Sequence, residues 1–118
     1  MRRFFKAFVY AWNGILHGIK AERNMKMHVL AAIVVVVAGV LTKLSHVEWF
    51  IVMILIGGMF ALELMNAAIE RVVDLVTSER HPLAQQAKDL AAGAVLVFAI
   101  ISAIIGLLLF VPKWLYFM

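Results

Sequence analysis

Glu63, Asn66, Glu70 and Asp74 fall within ELMNAAIERVVD (63–74), immediately after WFIVMILIGGMFAL (49–62), a run without a charge. At about 100° per residue, the last three lie at about −60°, −20° and +20° from Glu63, so all four share one stripe of one helix. Ionisable groups at the edge of so apolar a run are costly and mark a candidate site. A partly desolvated carboxylate is a better proton acceptor, which makes Glu63 a candidate general base. Glu70 on the same face and Glu22 ahead of the first apolar run offer hard oxygen ligands of the kind Mg²⁺ takes beside substrate phosphates. Lys88 is a cation for a phosphate, and Asp89 is placed to orient it or to meet a nucleotide. A structural reading stands beside this one: Arg71, Lys88 and Arg23 pair with the carboxylates only to join helices. Spacing alone leaves both open. Glu48 and Glu79 read as solvated loop charges.

The chain around these residues is 65% hydrophobic and 15% charged over 118 residues, which predicts one domain and a membrane protein. No cysteine is present, which removes disulfides, thiolate metal sites and cysteine nucleophiles. The four histidines are scattered without metal-ligand spacing. The net charge of +4 comes from basic residues flanking apolar runs, not from a basic stripe with interleaved aromatics, so no nucleic-acid partner is expected. Neither a phosphate-binding loop of the G-x-x-x-x-G-K-[ST] type nor a kinase D-F-G occurs, so any ATP chemistry needs another scaffold.

The elements that must position the stripe are predicted as an all-α integral membrane fold of three transmembrane helices, at about 27–45, 48–77 and 83–112. Trp49, Trp114 and Tyr116 read as interfacial anchors. Residues 1–26 precede them as an amphipathic surface helix, with Phe4, Phe8, Trp12, Ile15, Leu16 and Ile19 on one face. A helix packed on the bundle is the alternative for this segment. Pro82 biases His81 out of helix and sets the break at TSERHPL, where Ser78 is a candidate cap. Gly57-Gly58 and AAGA (91–94) read as close helix packing. Arg2, Arg3, Lys6, Lys20, Arg23 and Lys26 before the first span, and Arg80 and Lys88 in the second connection, place both on the cytoplasmic side. The stripe, Glu22 and Lys88 then meet at the cytoplasmic interface of a multi-pass protein of a bacterial cell membrane.

ELMNAAIERVVD followed by AKD (87–89), with YAWNG (10–14) and Glu22 upstream, resembles the prokaryotic diacylglycerol kinase family, which includes the undecaprenol kinases of Gram-positive bacteria. The likeness covers nearly the whole chain. It implies a homotrimeric membrane kinase that moves the γ-phosphoryl group of MgATP to a lipid hydroxyl. By position it implies Glu63 as general base with Asn66 beside it, Glu22 and Glu70 as metal ligands, and Lys88 on phosphate. Asp74 and Asp89 match further polar positions of the site, and Arg3 and Tyr10 match positions near the nucleotide. Members that prefer diacylglycerol often carry an acidic residue at the positions of His28 and Pro82. That departure, with HPLAQQAKD (81–89), favours undecaprenol as the lipid over diacylglycerol. A small oligomeric transporter or channel subunit, with the carboxylates as an ion or proton relay, is the competing reading. Such a relay belongs near the membrane midplane, whereas these carboxylates gather at one end.

Overall fold

In the computed structural model, which describes residues 1–117, the chain forms four α-helices: α1 (Arg2–Ala21), α2 (Arg23–Thr42), α3 (His46–Val76) and α4 (Pro82–Phe117). The last three are each long and apolar enough to cross a membrane. With 31 and 36 residues, α3 and α4 run about 46 and 54 Å, longer than the roughly 30 Å of a hydrocarbon core. That is longer than a single upright crossing needs, and the polar stripe lies in the C-terminal half of α3.

The helix expected over 1–26 is interrupted at Glu22. That residue is extended (φ −97°, ψ 121°), its N–H closes α1 on the Gly18 carbonyl, and it caps α2. Arg23–Lys26 thus open the first span instead of ending the surface helix. Neither Gly nor Pro marks the corner in the sequence. What the corner permits is packing: Met25 is almost fully buried, and a Cβ on Gly18 would stand 2.7 Å from Leu64 Cδ2. The apolar face of α1 itself stays open, with Phe4, Phe8 and Trp12 exposed.

Between α2 and α3 the chain turns through Lys43 in the left-handed region (φ 60°), whose N–H caps α2 on Gly39 and Val40. Ser45 then starts α3 by a reciprocal cap: its Oγ accepts from Glu48 N–H at 3.3 Å, and Glu48 Oε1 accepts from Ser45 N–H at 3.0 Å. Glu48 also meets Lys113 at 2.8 Å. It is a helix start and an inter-helix tie, not a solvated loop charge. The S-x-x-E pattern of Ser45–Glu48 carried that signal in the sequence.

The antiparallel α3–α4 hairpin is the most extensive packing in the chain. Gly58 admits the Phe98 ring, which would lie 2.4 Å from an added Cβ, whereas Gly57 and Gly93 face open space. Close packing is thus found at Gly58 and not at Gly93. The 77–81 connection is ordered by Thr77, whose Oγ1 accepts from Glu79 N–H, and by His81, whose Nδ1 accepts from Leu83 N–H. Those two, not Ser78, do the capping, and Pro82 takes the first helical position where its missing N–H costs nothing. Far along α4, the helix continues through Pro112, near enough to its end that the bond lost to Leu108 does not break it.

Leu44, Val52 and Phe110 form the core at the other end of the bundle, where Trp114 Nε1 donates to Thr42 Oγ1 at 2.9 Å. Few large hydrophobic side chains are otherwise buried; long runs of Val, Ile and Leu on α2–α4 face outward, as helices do when their solvent is hydrocarbon.

Candidate functional site

Along α3 the stripe passes from interior to surface in chain order. Glu63 is 2% exposed, Asn66 is buried, Glu70 is half-buried, and the Asp74 side chain is 65% exposed. The sequence geometry of one face is thus realised as a gradient of water access. At its buried end, His28 of α2 faces Glu63, with Nε2 at 3.5 Å from Oε2. Asn66, one turn away, keeps its Oδ1 buried without a hydrogen-bond partner. A buried acceptor left open is expensive, so its lone pairs are available for a donor that arrives with a ligand.

Further along, two ion pairs join the stripe to other elements. Arg71 reaches Glu22 at the α1–α2 corner, at 2.7 Å, while also donating to the Ala67 carbonyl and lying 3.4 Å from His17 Nε2 on α1. Lys88 of α4 meets Asp74 at 2.7 Å, and the Glu70 carboxylate acts on the same ammonium through space. Asp89 accepts from Gln85 at 2.8 Å. The structural reading of Arg71 and Lys88 as helix ties therefore describes real contacts. It does not describe Glu63 or Asn66, which no Arg or Lys touches.

Among the described residues, no three acidic or histidine side chains converge as a ready-made metal centre. Mg²⁺ does not require one, since it is commonly held by one or two carboxylates with substrate phosphates. Glu22 and Glu70 are carboxylates of the kind such a site uses, and Glu22 is paired with the Arg71 guanidinium. Arg3 and Tyr10 are not brought to the cluster. They lie on the exposed α1 about 28 and 18 Å along the helix from Glu22. His17 and Arg71 enter the site's contacts without having been singled out as site residues; only Arg71 had a signal, its place within the 63–74 segment as a possible partner of the carboxylates.

Two cavities flank the stripe. On the apolar side a crevice of about 520 Å³ runs between α2, α3 and α4, from His28 and Phe60 past Ser102 to Trp114. Its lining is almost wholly hydrocarbon, with the imidazole of His28 at the Glu63 end. On the other side a cleft of about 560 Å³ opens among Asp74, the 77–81 turn, Gln85 and Lys88, with mixed polar walls. Glu63 lies one helical turn beyond Phe60, and Asp74 lines the polar cleft, so the stripe leads from an apolar space to a water-facing one.

Comparison with known proteins follows the same pattern. Residues 9–110 match the family described as prokaryotic diacylglycerol kinase. The chain is similar to the undecaprenol kinase of Bacillus subtilis, at 58% identity over 96% of this chain and 92% of that one. It is also similar to the diacylglycerol kinase of Helicobacter pylori strain J99, at 35% identity over 88% of this chain and 81% of that one. The diacylglycerol kinase of Escherichia coli K12 is 29% identical over 86% and 84% of the two chains.

Proposed function

The chain belongs to the prokaryotic diacylglycerol kinase family and is a membrane lipid kinase, a phosphotransferase with an alcohol acceptor, and we propose that it phosphorylates undecaprenol at the expense of ATP. The observation that carries the site assignment is the stripe itself: a nearly inaccessible Glu63 at the head of an apolar crevice, continuous with carboxylates that reach a polar cleft. A lipid alcohol arrives from hydrocarbon and ATP from water, so a common site must span that boundary.

In this reading the lipid chain occupies the crevice between α2, α3 and α4 and brings its hydroxyl to Glu63, which accepts the proton as the oxygen attacks. Asn66 supplies the neighbouring polar group. Lys88 moves from Asp74 to the phosphates, with Asp89 and Asp74 completing the polar wall. Glu22 and Glu70 would hold Mg²⁺, which when bound offsets the charge of the phosphate oxygens. Phosphoryl transfer asks little more of a protein than such positioning and neutralisation. Arg3 and Tyr10 serve the nucleotide only if α1 of the same or another copy is brought over the cleft. A homotrimer, as the family resemblance implies, would let neighbouring copies help enclose the substrates. The basic N-terminal segment and second connection support a cytoplasmic site.

Undecaprenol takes first place over diacylglycerol because of the higher identity to the Bacillus subtilis enzyme, and because His28 stands at the crevice head. The test offers both lipids side by side in mixed micelles with labelled ATP. Undecaprenol should carry most of the label; preferential labelling of diacylglycerol would reverse the order, and labelling of neither would remove the reading.

A further inference from the structure

The apolar crevice beside Glu63 has a head and a floor. At the head stand Phe60 and His28, whose Nε2 lies 3.5 Å from Glu63 Oε2. Further along, the α4 wall is made of the small residues Ser102, Ala103 and Gly106, and a Cβ added to Gly106 would meet nothing within 4 Å. One turn beyond Gly106 the wall becomes Phe110, which packs with Val52 and Leu44 in the buried core. The α2 side ends in the same way: one turn past Val35, the Trp49 ring fills the place of a Gly39 side chain. Trp114, tied to Thr42, stands at this closed end. The flank is not closed, since Leu107 on the rim is exposed.

A crevice with one reacting end and one blocked end measures length. From Glu63 at the head to Val52 at the floor, α3 runs about 16 Å along its axis. An isoprene unit adds four chain bonds of about 1.5 Å, about 5 Å when extended, so about three to four units fill that distance. The volume agrees, because about 520 Å³ takes about twenty close-packed chain carbons at roughly 27 Å³ each. We propose that the crevice seats only the first 15–20 or so carbons of an isoprenoid alcohol, and that the protein therefore phosphorylates short isoprenoid alcohols as well as long ones; this rests on the lipid-kinase reading above. The remainder of a longer chain leaves past Leu107 into the bilayer. The step itself is unchanged: the alcohol oxygen bonds to the γ-phosphorus of ATP, the bond from that phosphorus to the ADP oxygen breaks, and the hydroxyl proton passes to Glu63. The products are ADP and an isoprenyl monophosphate. A chain that moves from bilayer to crevice leaves one hydrocarbon for another, so each seated unit gains only by closer packing.

Alcohols of two, three, four and eleven isoprene units, at equal mole fraction in micelles with labelled ATP, test the measure. The value of kcat/KM should rise several-fold from two units to four, and differ by less than about twofold between four and eleven. Gly106→Leu raises the floor by about one turn and should cut the advantage of four units over two to less than about twofold. A three-unit alcohol with a photoactivated diazirine at its tail needs no substitution and should label the segments around Val52 or Phe110. Size-exclusion elution in detergent checks that the variant keeps its assembly. Equal use of two units and four, a steady rise through eleven, or an unchanged advantage in Gly106→Leu would overturn the length limit and leave the kinase reading standing. Tail label on the outer faces alone would do the same, by showing the crevice to be filled by another copy of the chain. A wild-type protein that labels no lipid alcohol overturns both.

Discussion

At the Trp114 end of the bundle, Trp114 bonds Thr42 at 2.9 Å, Lys113 meets Glu48 at 2.8 Å, Ser45 and Glu48 cap each other, and Leu44, Val52 and Phe110 fill the space between. At the Glu63 end the polar contacts are as many, but Asn66 Oδ1 has no partner, the His28–Glu63 distance is 3.5 Å, and a polar cleft lies open beside Lys88. The first end spends its polar groups on one another. The second holds some in reserve and others in pairs that a charged ligand can exchange. On the proposed reading the contrast separates a fastening from a site, although both are made of ion pairs and hydrogen bonds.

The strongest way to break this contrast is Glu63→Gln. If the buried carboxylate works as a base, kcat for lipid phosphorylation falls about a thousandfold, near 4 kcal/mol in the barrier. Its unfolding in detergent should shift little, because glutamine keeps the volume of the side chain and its capacity to hydrogen-bond. A loss of stability with preserved turnover would make Glu63 a fastening like those at the other end. The next effect belongs to the opposite end. In Gly39→Ala the new Cβ meets the Trp49 ring at 2.7 Å and Leu44 at 3.0 Å. Overpacking against a fixed ring should cost about 1–2 kcal/mol net of the helix-propensity gain, read from denaturant unfolding in micelles. Gly18→Ala, near the site, meets closely the end of Leu64, which can rotate away, and touches Met25 Cε at an ordinary 3.8 Å, so its cost should be smaller than that of Gly39→Ala. The reverse order would mean that the Glu63 end is the more rigidly packed. Smallest is Thr42→Val, which removes the acceptor of the Trp114 bond and should cost about 1 kcal/mol with kcat unchanged.

Much of this arrangement was legible before any coordinates. Helical spacing put Glu63, Asn66, Glu70 and Asp74 on one face, and the end of the charge-free run implied the burial gradient that the four now display. Hydropathy found three spans because a membrane helix must be apolar over a fixed length. Partners were harder. Arg23, Lys88 and Arg71 were equally plausible cations, and which carboxylate each meets depends on how α2 and α4 cross α3, which no local pattern encodes. The corner at Glu22 was invisible for a similar reason: it is enforced by the packing of Met25, Gly18 and Leu64 across helices, without a Gly or Pro of its own. The cap at Ser45–Glu48 was a different kind of miss, since its pattern stood in the sequence beside a more conspicuous polar turn.

The corner has a mechanical consequence. Glu22 is a single extended residue between two helical arms of 20 residues each, so it acts as a fulcrum. If α1 rocks by about 10° about this corner, Arg3 at the far tip travels about 5 Å, whereas the Cα of Glu22 stays close to the pivot. Such a rotation would leave the Glu22 carboxylate nearly in place while the outer half of α1 moves.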